Sequence, residues 1–276
     1  MPTCYRHPDR ETGLSCSECG RPICTECMTP AAVGIRCPDH AGKARTVRAP
    51  RIVARPAGGA VVTKVLIGLN VAVYLITAVQ GNGLNDPGGS LFSKWALFGP
   101  VVQHGDWWRL MTAAFLHASI IHIASNMLAL WWLGAPVEQY LGPVRYVGLY
   151  LVSGLAGSAG ALVVSPLAVT VGASGAIFGI MGALLILEWQ HTGRFTGNAA
   201  GLIAVNLAIS VAIPGISIGG HIGGLIGGIL CTLAFANWGR GHAAYGRVGV
   251  TGILGLVAVA AGSVLIAYLK VRNLTY

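Results

Sequence analysis

Seven apolar runs, near residues 60–79, 110–133, 145–165, 169–188, 199–213, 217–237 and 249–269, limit what this chain can fold into. Most approach the roughly 20 residues that a helix needs to cross a bilayer, while 199–213 is shorter and stops at Pro214-Gly215. Backbone N–H and C=O groups in lipid must be satisfied within their own segment, so runs of this length read as transmembrane helices. Composition agrees. Of 276 residues, 54% are hydrophobic and 10% charged, too apolar for a soluble globule of this size. The expected fold is an all-α polytopic membrane protein with seven spans, in which the stretch between the first two runs is the one long loop.

The net charge of +9 is unevenly spread. Lys43, Arg45, Arg48, Arg51, Arg55 and Lys64 crowd the approach to the first run, most of them in a Pro-containing linker without apolar periodicity. Such a run suits an anionic cytoplasmic leaflet and places the N-terminus inside; no nucleic-acid partner is expected. Arg145, Arg194, Arg240 and Arg247 then fall on the cytoplasmic side, and the minority Lys94, Arg109, Lys270 and Arg272 outside. The second, fourth and sixth spans all run from outside to inside. The polar, Cys-rich N-terminus is unlike a cleaved signal peptide.

Three sets of polar residues fall at one level within the runs. Ser174 is early in the fourth, in TVGASGAIFG; His221 is early in the sixth, in GGHIGGLIGGIL; His117, His122 and Asn126 are early in the second, in FLHASIIHIASNML. Counting back from Glu188 at 1.5 Å per residue puts Ser174 about 21 Å up, roughly 10 Å beneath the outer surface of a core about 30 Å thick. Counting from Asn237 brings His221 to nearly the same depth. Gly220, Gly224 and Gly228 form a doubled small-residue seam beside His221, and the fourth run offers Gly175, Gly179 and Gly182. Helices lined in this way approach closely enough for short side chains at their outer ends to touch.

Alone in a span, a serine is ordinarily packing and a histidine a neutral ring bonded to a carbonyl. Together at one depth they read as nucleophile and base. The usual orienting carboxylate is missing from mid-span. Outside the N-terminal unit the acidic residues are only Asp86, Asp106, Glu138 and Glu188, so a Ser174–His221 dyad is expected. Phe178, one turn below Ser174, is placed either to stack on the imidazole or to serve as an ordinary aromatic. The G-x-S-x-G nucleophile elbow is not matched, since Ala176 holds its final position; a helix starting at Ser174 is expected, with free N–H groups facing a developing oxyanion. His122 and Asn126, at i and i+4, project from one face as further oxyanion donors or as a polar clamp between helices.

These residues resemble the rhomboid intramembrane serine proteases, over roughly residues 61–238. The likeness rests on His117-x4-His122-x3-Asn126, Gly172-Ala173-Ser174-Gly175 with Phe178 following, Gly220-His221-x2-Gly224-x3-Gly228, Trp108-Arg109 and Gly134-x3-Glu138. The resemblance implies a six-helix core, here with a seventh C-terminal span, and a serine endopeptidase that needs no catalytic cofactor. It implies Ser174 as nucleophile, His221 as base, and His122, Asn126 and the Ser174 N–H as the oxyanion site. The implied substrates are single-pass membrane proteins cut near the outer boundary. Phe178 stands where the family commonly has Tyr. The alternative is a catalytically silent rhomboid-like factor that binds or escorts membrane proteins, against which the intact Ser174 and His221 stand. A transporter is disfavoured by the lack of mid-span carboxylates.

Four pairs at two-residue spacing, Cys4/His7, Cys16/Cys19, Cys24/Cys27 and Cys37/His40, supply eight ligands, enough for two closed tetrahedral Zn²⁺ sites. A disulfide framework is disfavoured on the reducing cytoplasmic side. The pattern is similar to small B-box-type zinc fingers, which implies that pairs one and three share one ion and pairs two and four the other; spacing alone leaves sequential pairing open. With no open position, such sites are structural, and a unit this short depends on metal to fold. Cys231 reads as a small packing residue. The expected organisation is a zinc-binding unit at 1–42, a basic linker at 43–60, the protease core at 61–238 and a further span with its tail at 239–276. The expected setting is a bacterial plasma membrane, with the site opening outward and a cytoplasmic protein partner for the zinc unit.

Overall fold

The computed structural model describes residues 1–31, 34–41, 59–195, 197–244 and 249–275. Most of the basic linker, with Lys43, Arg45, Arg48, Arg51 and Arg55, lies outside the described residues, as does Arg247. The chain divides into two compact units, Met1–Pro56 and Ala57–Tyr276.

The first unit carries little regular structure: strand β1 (Thr29–Pro30) pairs antiparallel with β2 (Ile35–Arg36). Its core consists of Cys4, Cys16, Cys24, Cys27, Cys37 and Ile23, with Tyr5 and Ile35 packed against them. One isoleucine and a set of thiols leave little buried apolar surface to offset the chain entropy of ordering such a unit.

The second unit is helical. Its described helices are α1 (Val61–Gln80), α2 (Gly89–Trp95), α3 (Gly99–Gln103), α4 (Arg109–Thr112), α5 (Ile120–Ala129), α6 (Ala135–Leu141), α7 (Pro143–Val164), α8 (Ser174–Thr192), α9 (Asn198–Ala212), α10 (Ile218–Phe235) and α11 (Val250–Val271). A π-helical turn, Leu130–Gly134, joins α5 to α6 into one rod, Ile120–Leu141. Among the described residues, that rod and α1, α7, α10 and α11 are long and apolar enough to cross a membrane. The two remaining apolar runs are α8, whose last turn is polar at Glu188, Gln190 and His191, and the 15-residue α9.

Two boundaries differ from the sequence reading. The second span begins at Ile120, not near 110, because Ser119 caps it by accepting from the His122 N–H at 3.2 Å. His117 therefore precedes the helix. The fourth span begins at Ser174; before it Thr170 forms an antiparallel bridge with Leu97, and Ala173 lies in a turn. The long loop itself holds α2, α3 and α4, tied together by Arg109, which donates to Asp106 and to the carbonyls of Ser93 and Ala96.

Glycine contacts fix the helix directions. A Cβ on Gly224 of α10 would collide with the Gly175 carbonyl of α8, and one on Gly228 would overlap the Gly179 backbone, so the two helices run parallel in backbone contact. Helix α7 lies antiparallel to both: a Cβ on Gly157 would stand 3.0 Å from the Gly175 Cα and from the Gly220 carbonyl oxygen. The last helix, α11, packs on α7 and α10, and its end is held to α3, where Gln103 Nε2 donates to the Leu274 carbonyl at 3.3 Å. The first residues of α8 and α10 thus meet at one end of the bundle.

Candidate active site

Ser174 is the first residue of α8 and is half-buried. Its N–H belongs to the first helical turn, where no carbonyl four residues back is available to accept it. Gly172 just before it has φ +127°, and a Cβ there would lie 2.7 Å from His122 Nε2 and 3.8 Å from Ser174 Oγ. Only glycine suits both the dihedral and the space. The absent side chain lets the His122 ring approach the serine.

The tautomer of His122 follows from its partners. The Ala118 N–H donates to His122 Nδ1 at 3.3 Å, so that nitrogen holds the lone pair and Nε2 carries the hydrogen. An N–H donor therefore points towards the space beside Ser174. Asn126 is buried and gives one amide hydrogen to the His122 carbonyl at 2.9 Å, which leaves its second for another acceptor. His117 is fully buried and meets the His122 ring edge-on, with centroids 5.0 Å apart.

His221 lies in the first turn of α10, is 8% exposed, and stacks on Phe178 with centroids 4.1 Å apart and planes 18° from parallel. Among the described residues, the hydrogen bond its ring makes is to Ser210 Oγ of α9 through Nδ1 at 2.6 Å; Ser174 Oγ is not directly bonded to it.

Ser174, His221, Phe178 and His122 are thus gathered at one end of the bundle, and Asn126 sits one turn below His122. The sequence reading missed Ser210. Its signal was available, since Asn206-x3-Ser210 repeats the i, i+4 polar spacing of His122-x3-Asn126 in an otherwise apolar run. It also missed the glycines of α7, which close the seam from a third side.

The N-terminal ligands form two groups, Cys4/His7/Cys24/Cys27 and Cys16/Cys19/Cys37/His40, the ligand atoms of each lying within 4.8 Å of one another. The structure therefore selects the interleaved pairing over the sequential one. In the first group His7 Nδ1 stands 3.9, 3.4 and 3.4 Å from the sulfurs of Cys4, Cys24 and Cys27; in the second, Cys37 Sγ is 3.9 Å from Cys19 Sγ and 3.2 Å from His40 Nδ1. These separations suit the edges of a tetrahedron with metal–sulfur bonds of about 2.3 Å, and all seven cysteines are free. Either group could hold a metal ion.

Residues 104–238 match the family described as Rhomboid domain. Rhomboid protease GluP of Bacillus subtilis is 37% identical over 133 residues, 48% of this chain and 26% of that protein. RHOMBOID-like protein 7 of Arabidopsis thaliana is 36% identical over 121 residues, 42% of this chain and 39% of that one. The chain thus spans well under half the length of these two relatives.

Proposed function

We propose, from a chain that carries a rhomboid domain at residues 104–238 and is an integral membrane protein, that it is an intramembrane serine endopeptidase with Ser174 as nucleophile and His221 as base. The observation that carries this reading is the meeting of the α8 and α10 starts, locked by Gly175/Gly224 contact, with the imidazole stacked on Phe178.

His221 Nε2 accepts the Ser174 hydroxyl proton as Oγ attacks the scissile carbonyl. The negative charge that develops on the carbonyl oxygen faces the Ser174 N–H, the His122 Nε2–H and the free amide hydrogen of Asn126. His221 then passes its proton to the leaving amine. Water, activated by the same imidazole, hydrolyses the acyl-enzyme.

The substrate must offer an extended peptide bond, although backbone in lipid is held helical by its own hydrogen bonds. Single-pass segments whose outer end unwinds easily, through Gly, Pro or polar residues, meet that demand, and the crowded site favours Ala or Gly before the scissile bond. The N-terminus, the basic linker and the Arg145, Arg194 and Arg240 end of the bundle lie in the cytoplasm, and the site opens outward. Product mass spectrometry on a reporter with an external N-terminal domain tests this: the cut falls near the outer end, and inserted leucines there suppress it. A cut in the cytoplasmic half contradicts the orientation, and no cut in any such reporter favours a silent binding factor.

The two Cys/His groups are structural Zn²⁺ sites, since each supplies four N/S ligands and leaves none open for water. The metal gives the first unit the cross-links that its single buried isoleucine cannot.

A further inference from the structure

We propose that Ser210 is a positioning residue, the third member of the site, which fixes His221 in the tautomer that can act as a base. This rests on the endopeptidase reading above. Ser210 is 4% exposed in α9, and its Oγ lies 2.6 Å from His221 Nδ1 and 2.6 Å from the Asn206 carbonyl oxygen. A hydroxyl has one hydrogen, and a carbonyl oxygen can only accept. That hydrogen therefore goes to Asn206, and Nδ1 must be the donor towards Ser210 Oγ. A neutral imidazole protonated at Nδ1 carries its lone pair at Nε2, the nitrogen that has to take the Ser174 proton.

A carboxylate ordinarily fills this role. Each one in the helical unit is engaged elsewhere: Asp86 with Asn82, Asp106 with Arg109, Glu138 with the Val62 and Thr63 N–H groups, and Glu188 with those of Asn198 and Ala199. A neutral hydroxyl fits a site in apolar surroundings, because it holds the ring without burying a charge. Phe178 fixes the ring plane and Ser210 its rotation and proton. During proton transfer Nε2 gains the Ser174 hydrogen while Nδ1–H goes on donating to Ser210 Oγ, so the bond becomes charge-assisted as the transition state forms.

The full chain in detergent or liposomes tests this with wild type as the active reference and Ser174→Ala as the inert one. Ser210→Ala lowers kcat about tenfold while KM stays within about twofold, since the lost bond strengthens only in the transition state. Ser210→Thr, which keeps the hydroxyl, recovers most of that loss. An unchanged kcat in Ser210→Ala overturns the proposal, as does a loss shared equally by the Thr variant or spread over kcat and KM, which marks a packing role. Histidine ¹⁵N NMR on wild type, with His221 assigned by its loss in His221→Gln, reads the tautomer without substitution at Ser210. A neutral ring protonated at Nδ1 supports the proposal, and one protonated at Nε2 overturns it. An inert wild type or an active Ser174→Ala strikes at the endopeptidase reading instead, and the NMR result still decides the tautomer.

Discussion

The ring of Phe178 lies 4.1 Å from that of His221 and within 18° of parallel, α8 presenting an apolar face to the imidazole carried by α10. A flat aromatic beneath an imidazole limits its tilt without adding a charge. Phe178→Ala should lower kcat about two- to tenfold, the range spanned by an aromatic pair's contribution, while Phe178→Tyr keeps the ring and stays close to wild type. Steady-state cleavage of a transmembrane reporter distinguishes them, and equal rates for Ala and wild type would show that stacking is incidental.

Helix α10 rests directly on the backbone of α8, so side chains in the seam should be poorly tolerated. Gly224→Ala places a Cβ against the Gly175 carbonyl and Gly228→Ala one against Gly179. Each should destabilise the helical unit by about 1–3 kcal/mol, the usual effect of overpacking, and reduce turnover by separating Ser174 from His221. Gly262→Ala of α11 meets nothing within 4 Å and serves as the control. Thermal unfolding in mild detergent reads the difference; a seam variant as stable as Gly262→Ala contradicts the tight contact.

How much of this was legible in the sequence depended on the kind of signal. Ser174 and His221 could be placed at one depth because apolar run lengths count residues along the membrane normal, and the seam glycines recur at helical spacing. Spacing alone left the Cys/His pairing open, because two-residue spacing recurs identically in all four pairs; the likeness to B-box-type fingers implied the interleaved groups that the structure brings together. Ser210 left only a weak trace, the i, i+4 spacing of Asn206 and Ser210, because a serine in an apolar helix is ordinarily packing. The start of the second span was obscured by Arg109–Phe115, apolar enough to join the run yet folded as α4 and a 3₁₀ turn ahead of the Ser119 cap.

As the proposed oxyanion donors, His122 and Asn126 should grade. Loss of one such donor typically costs a hydrolase about 10²–10³ in kcat. His122→Ala removes the Nε2–H that faces the Gly172–Ser174 corner, and Asn126→Ala removes the more distant amide, so the first should fall to the lower edge of activity and the second remain measurable. Turnover unchanged in both variants would assign the pair to clamping α5 against its neighbours.

The metal sites make a stoichiometric prediction. Freshly prepared, reduced protein should contain about two Zn²⁺ per chain, and Cys24→Ser, which removes a ligand from the His7 group, about one. Chelation should unfold the first unit and leave the helical signal of residues 61–271 in place, because the α7–α8–α10 packing uses none of the eight ligands. Elemental analysis with circular dichroism checks both. Protein without zinc, or helices that melt on chelation, contradicts the assignment.

The central claim is that Ser174 and His221 form one catalytic unit at the meeting of α8 and α10. Single-turnover cleavage of a transmembrane reporter by purified wild type, Ser174→Ala, His221→Ala and the double variant tests it most directly. Both single variants should lose all measurable cleavage, and the double variant should be no worse, since residues that act together are non-additive. Cleavage retained in clean Ser174→Ala protein would contradict the account at its base.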